Sequence, residues 1–236
     1  SWVSSSSITP VLMPGAIIKI PKMLFSRDGP LFLNFPGVLR ILPWLLKYLS
    51  YSSEVKVNYI SDHLAPLLSN SFEEHKKLAE GTDALKWIVN SPFLFIYKNR
   101  EDYIRETLTW NIRKKHGFKP IEIGKDELSA LVPGLSEEYT FAIKINNQGY
   151  ISNSKKYLND LIEGFKKLGG KIIEDEVVDI SSDQKTIIIK GKKEEMFSDS
   201  VVIAAGVFSD KLSKKFGANV PLQSERGYHL ELRETN

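Results

Sequence analysis

The run Val201-Val202-Ile203-Ala204-Ala205-Gly206 carries the strongest chemical signal in this 236-residue chain. Apolar residues lead directly into three positions with little or no side chain. Such a strand end lets a large group approach the backbone closely. The chemistry this allows is recognition of a bulky ligand, because ligands of open α/β sheets lie outside the carboxyl ends of the strands. Further on, Arg226-Gly227-Tyr228-His229 adds a guanidinium, which can grip a carboxylate bidentately, and a phenol suited to a pocket wall. A sheet strand alternating inward and outward accounts for the same four residues.

Other chemistries find little support. The four histidines, His63, His75, His116 and His229, show no metal-ligand spacing. Adjacent acidic pairs such as Glu73-Glu74 and Glu194-Glu195 point apart on a helix or strand and read as solvated faces. No cysteine is present, which excludes disulfides and thiolate catalysis and suits a reducing, cytoplasmic compartment. A net charge of +3 is too weak to indicate a nucleic-acid partner.

Elements must position these groups. A continuous apolar run such as 201–206 reads as a strand buried on both faces, as in a parallel sheet. Upstream, residues 153–168 carry Tyr157, Leu158, Leu161, Ile162, Phe165 and Leu168 on one helical face, and Gly169-Gly170 ends the helix. A strand over 171–180 and a hairpin across Gly191-Lys192-Lys193 follow. Earlier, the pattern predicts a helix within 37–50, helical segments over 55–88 broken at Pro66 and Gly81, and a strand from Phe93 to Tyr97. A helix capped by Asn99 runs to Gly117, a short one covers 125–131, and a strand covers 140–145. With 42% hydrophobic and 26% charged residues, the chain has ample material for a core.

The order helix, strand, hairpin, strand ending in Ala204-Ala205-Gly206, followed by Arg226-Gly227-Tyr228, resembles the FAD-dependent D-amino acid oxidase superfamily, and within it the bacterial D-amino acid dehydrogenases. The resemblance implies an α/β fold: part of a glutathione-reductase-like flavin-binding sheet with its β-meander, plus a mixed-sheet substrate domain. It assigns residues 1–10 and 152–217 to the FAD-binding domain, and 11–151 and 218–236 to the substrate domain. It implies FAD as cofactor, with contacts from Ala204, Ala205 and Gly206 near the pyrophosphate or ribose and from the Val177 backbone at the adenine. Val3-Ser4-Ser5-Ser6-Ser7-Ile8-Thr9-Pro10 is similar to the family's loop beside the flavin, so Ser5, Ser6, Ser7 and Ile8 are cofactor candidates. The loop departs from the family in having Ser4 for the usual Asn and Ser6 for the usual Gly. Tyr228 and Arg226 are implied as substrate contacts.

The activity implied is oxidative deamination of an amino acid by hydride transfer to the flavin, with electrons passed to a membrane acceptor. A glycine- or sarcosine-type oxidase using O₂ is the alternative within the family. A non-catalytic α/β binding module is the alternative outside it. The Gly-x-Gly-x-x-Gly turn that opens such proteins is absent from the sequence, so the chain is expected to be an internal piece of a longer protein.

Residues 1–53 hold five basic residues, Lys19, Lys22, Arg27, Arg40 and Lys47, against Asp28 alone. Within 16–50 they are interleaved with Ile17, Ile18, Ile20, Leu24, Phe25 and Trp44. Apolar and aromatic anchors among basic residues suit a peripheral position on the inner face of a membrane; packing against the substrate domain is the other reading.

Overall fold

The computed structural model describes residues 2–15, 35–183 and 186–222. It divides into two compact units, residues 1–171 and 172–236.

The first unit mixes helices with two small antiparallel sheets. In one sheet β6 (Gly149–Ile151) lies between β1 (Trp2–Val3) and β2 (Ile88–Asn90). In the other β5 (Phe141–Ile145) lies between β3 (Phe93–Tyr97) and β4 (Ile121–Gly124). β5 is the apolar centre: Phe141, Ala142, Ile143 and Ile145 are all buried. Being central it contacts neighbours on two edges and two faces, which is why its sequence hardly alternates.

Helices α1 (Phe35–Leu49), α2 (Glu54–Leu68) and α3 (Ser71–Ala79) form between the strands β1 and β2. Ser53 caps α2 through its side chain, and the segment breaks at Ser69-Asn70, just past Pro66. After β3, Asn99 caps α4 (Arg100–Ile104) as expected, but the helix does not run through to Gly117. It stops at Arg105-Glu106 and restarts as α5 (Thr107–Lys115), so that Glu106 can accept a hydrogen bond from Tyr97 Oη at 2.8 Å. No Gly or Pro marks this break; a tertiary hydrogen bond accompanies it. Helices α6 (Lys125–Leu131) and α7 (Ser154–Lys167) agree with the pattern, and Gly169 ends α7 with φ of +90°. Of the apolar face of α7, Tyr157 is buried, whereas Leu158, Phe165 and Leu168 are exposed. Trp87, in the short 3-10 turn Asp83–Trp87, anchors the helix by donating Nε1–H to Asp160 at 2.7 Å.

The second unit is built on a meander of β7 (Val177–Asp183), β8 (Thr186–Gly191) and β9 (Glu195–Ser198), followed by the short α8 (Ser209–Ser213). The hairpin at Gly191-Lys192-Lys193 is present. The strand before it starts at Val177 rather than 171, because Asp175 is used differently. Its carboxylate accepts from the backbone N–H groups of Lys192, Lys193 and Glu194 across the hairpin tip. Burial would raise its pKa, but these N–H groups outweigh burial and hold it below the ordinary carboxylate value.

The largest correction concerns 201–206. The segment is not a strand, and Val202 is 87% exposed. A strand needs a partner to satisfy its N–H and C=O groups, and the described residues offer this one none. All strand pairs in the described residues are antiparallel.

Residues 16–34 of the basic, apolar stretch lie outside the described residues. On α1, Leu42, Leu46 and Tyr48 are exposed and Trp44 stacks on Tyr48 at 5.1 Å. No helix among the described residues is long and apolar enough to cross a membrane.

Candidate functional site

The serine run is a tight turn with Ser7 N–H donating to Ser4 O at 3.3 Å. Alternating burial fixes what it can offer. Ser5 and Ser6 are buried, Ser7 is exposed, and Ile8 is fully buried among Val57, Ala65 and Ile112. Ile8 thus anchors one end by burial, worth about 2 kcal/mol. The middle is pinned by polar groups from distant parts of the chain. Gln148, itself buried, accepts the Ser5 N–H at 2.8 Å. Ser5 Oγ and Ser71 Oγ lie 3.3 Å apart, and Ser4 Oγ and Ser6 Oγ 3.1 Å apart. Three of the four serine hydroxyls, those of Ser4, Ser5 and Ser6, therefore hold the turn to itself or to α3. Ser7 is the serine left open to a ligand.

Arg113 holds the carbonyl side. Its Nε donates to Ser6 O at 3.2 Å, and Nη2 lies 3.5 Å from Thr9 Oγ1. The guanidinium sits 4.5 Å from the Phe95 ring centre and 4.7 Å from that of Trp110. Ring quadrupoles partly replace the lost water around this buried cation. Burial still lowers its pKa, with Tyr97 and Glu106 acting in the opposite sense. An arginine nevertheless stays charged. Trp110, 1% exposed, donates Nε1–H to Tyr97 Oη at 3.0 Å. Burial first, then the bond to Glu106, pushes the Tyr97 phenol well above its ordinary pKa, so it stays a neutral donor.

Two clefts open beside this framework. One of about 520 Å³ is lined by Ser5, Asn70, Phe72, Lys119, Asn147 and Gln148. Asn147, which also lines it, has φ of 58°, in the left-handed region that asparagine tolerates. The other, of about 410 Å³, is lined by Met13, Phe95, Glu106, Leu108, Thr109 and Arg113 among others.

The other candidates belong to the second unit. Val177 opens β7 opposite Gly191, beside a register shift, and is partly exposed. Ala204 and Ala205 are exposed, and Gly206 begins a 3-10 turn with φ of +56° and open space where a Cβ would stand. Small residues with an uncovered backbone fit the close approach of a large cofactor such as FAD. Ser5, Ser6, Ser7 and Ile8 are thus brought together with Gln148 and Arg113, while Val177 and Ala204–Gly206 sit apart in sequence and unit. Arg226 and Tyr228 lie outside the described residues. Among the described residues no cluster of His, Asp or Glu could hold a metal ion.

Sequence reasoning missed Arg113 as a site residue. The detectable signal was Trp110 three positions earlier, on the same face of the helix.

The FAD dependent oxidoreductase family matches residues 36–236. A D-amino-acid oxidase of Bradyrhizobium diazoefficiens is 30% identical over 97% of this chain; the chain spans 55% of that relative's length. Among solved structures, glycine oxidase from Geobacillus kaustophilus superposes with a TM-score of 0.53 at 22% identity, over 65% of this chain and 43% of that one. L-amino acid deaminase from Proteus myxofaciens gives 0.57 at 18% identity, over 67% and 37%. The chain belongs to the FAD dependent oxidoreductase family.

Proposed function

We propose, from this family membership, that the whole protein oxidises an amino acid or related amine, with D-amino acids the first class to test. The observation that carries the reading is the likeness to the D-amino-acid oxidase along nearly the whole chain. Residues 1–10 and 152–217 contribute to the FAD-binding domain, and 11–151 and 218–236 to the substrate domain. FAD is held through the turn at Ser5, Ser6, Ser7 and Ile8, the backbone at Val177, and the uncovered backbone at Ala204, Ala205 and Gly206. When bound, FAD would supply a two-electron acceptor for the hydride of the substrate Cα–H; the amine nitrogen gives up a proton, and water hydrolyses the resulting imine to the keto acid and ammonia. The chain's own part is to bind and orient. Arg226 offers a clamp for the substrate carboxylate and Tyr228 a pocket wall.

Anaerobic flavin bleaching tests the reading on the full-length protein. D-amino acids are expected to bleach the flavin band. Bleaching by alcohols or 2-hydroxy acids and by no amine would overturn it. In the same assay Gly206→Val is expected to purify with most of its flavin lost. A β-branched residue at φ of +56° costs about 1–2 kcal/mol and puts bulk where the cofactor approaches. Full flavin occupancy in this variant would remove Gly206 from the site.

The reading extends to a membrane electron acceptor through α1. Its exposed Leu42, Leu46 and Tyr48, which come after the basic stretch 19–27 in sequence, suit an anionic lipid surface, where a peripheral dehydrogenase would meet its acceptor. Each basic residue there adds about 1 kcal/mol at low salt. Co-sedimentation with anionic vesicles, lost at high salt and in a Lys19→Ser, Lys22→Ser, Arg27→Ser variant, is the expected result. A protein that stays in the supernatant at low salt favours packing of this stretch against protein, and with it an oxidase that uses O₂.

A further inference from the structure

Gln148 stands where several segments of the first unit meet. It ends the connection from β5 to β6, which links the two sheets. Its backbone carbonyl accepts the N–H of Ser91 at 3.0 Å, in the connection from β2 to β3. The next residue, Gly149, is paired with Val3 in β1 and Asn90 in β2. The backbone at Gln148 is therefore held on two sides. Its side chain, 2% exposed, reaches the serine turn and accepts the Ser5 N–H at 2.8 Å. The amide has a defined orientation. Oε1 must face Ser5, because the reverse orientation would set two N–H donors against each other. Nε2 makes only a long contact with Asn146 O, at 3.5 Å. The bond to Ser5 is thus the main commitment of this side chain. Ser5 is itself buried, so loss of the acceptor would leave its N–H unpaired away from water.

We propose that Gln148 is a positioning residue for the cofactor: it holds the serine turn in its binding shape before FAD is bound. The inference rests on the reading that this turn faces FAD. Ser7, the exposed serine, lies two residues from the held amide, and the fully buried Ile8 anchors its other side. With both sides fixed, Ser7 has little freedom left. A turn without the Gln148 acceptor gains conformations that binding must then suppress, and affinity falls by that ordering cost. Gln148 acts through the turn, by means of one acceptor oxygen.

The full-length protein provides the test. In its flavin-free form, the Ser5 amide is expected to exchange with deuterium about as slowly as in the flavin-bound form, because Gln148 already protects it. Protection that arises only with FAD overturns the inference. Gln148→Met keeps length and apolar bulk but offers no oxygen. It is expected to weaken FAD binding about tenfold, the scale of one lost buried hydrogen bond, and to shift the flavin absorption band. Gln148→Glu restores an acceptor oxygen at the same reach in either protonation state, and is expected to recover most of both. A residue that only packs would lower the unfolding midpoint and leave the flavin band in place, with glutamate no better than methionine; that pattern overturns the inference. Should a variant fail to fold, exchange at Ser5 in the unsubstituted protein decides. Ser7→Val separates this inference from the reading beneath it. A flavin band that moves in Ser7→Val but not in Gln148→Met keeps the turn at the cofactor and removes Gln148. A band that moves in neither removes both.

Discussion

Trp110→Ala is expected to destabilise the first unit by about 3–5 kcal/mol, the range for removing a buried aromatic side chain. The indole is 1% exposed and meets Phe95 edge-on at 5.0 Å and Tyr103 at 5.6 Å. Three further losses accompany the cavity. Tyr97 Oη loses the donated indole N–H, Arg113 loses one of its two stacking rings, and Ser6 loses a well-held partner. Denaturant unfolding followed by circular dichroism gives the magnitude. Trp110→Phe separates the contributions, because it keeps most of the apolar contact and drops the hydrogen bond, at an expected cost nearer 1 kcal/mol. A loss below 1 kcal/mol for the alanine variant would show that this aromatic cluster is not the core that supports the turn.

The second large effect is expected from the smallest change. Gly149→Ala places a methyl group 2.0 Å from Phe72 Cε2 and 2.5 Å from the Val89 carbonyl oxygen. Neither neighbour can retreat easily. Phe72 is 1% exposed, and Val89 belongs to β2, which pairs with β6 through Val89 and Tyr150. Gly149 faces Val3 on one side and Asn90 on the other, so a shift of β6 disturbs both edges of its sheet. Overpacking at such a site costs about 3 kcal/mol or more, the upper end of its usual range. The expected result is a marked fall in the unfolding midpoint, or failure to accumulate folded protein. Combining Gly149→Ala with Phe72→Leu should be less harmful than the two separate losses added together, because the smaller side chain clears part of the collision. An unchanged midpoint for the single variant would mean that β6 and Phe72 do not approach as described. Gly149 is a packing glycine at the start of β6. Its φ needs no glycine; the need is for space, which depends on a phenylalanine far away in the chain.

The amino-acid sequence by itself determined the local elements whose causes are local. Asn99 and Ser53 have side chains that accept N–H groups at helix starts, Gly169 supplies the left-handed residue after α7, and Gly191 marks the hairpin of the meander. Apolar periodicity placed α1, α7, β3 and β5, since burial rewards a face wherever the rest of the fold lies. The family was legible too, because the small residues of Ala204-Ala205-Gly206 and the order of elements around them survive in the sequence as types and spacing. Tertiary structure alone decided the rest. Glu106 reaching Tyr97 accompanies the break in a helix that no local residue interrupts. A strand-like sequence at 201–206 remains unpaired, because strand formation depends on a partner and not on propensity. Gln148 and Arg113 hold the serine turn from positions more than a hundred residues away. Such contacts leave no periodic trace: one hydrogen bond or one cation over a ring needs a single residue in the right place, and only the folded chain brings that place near.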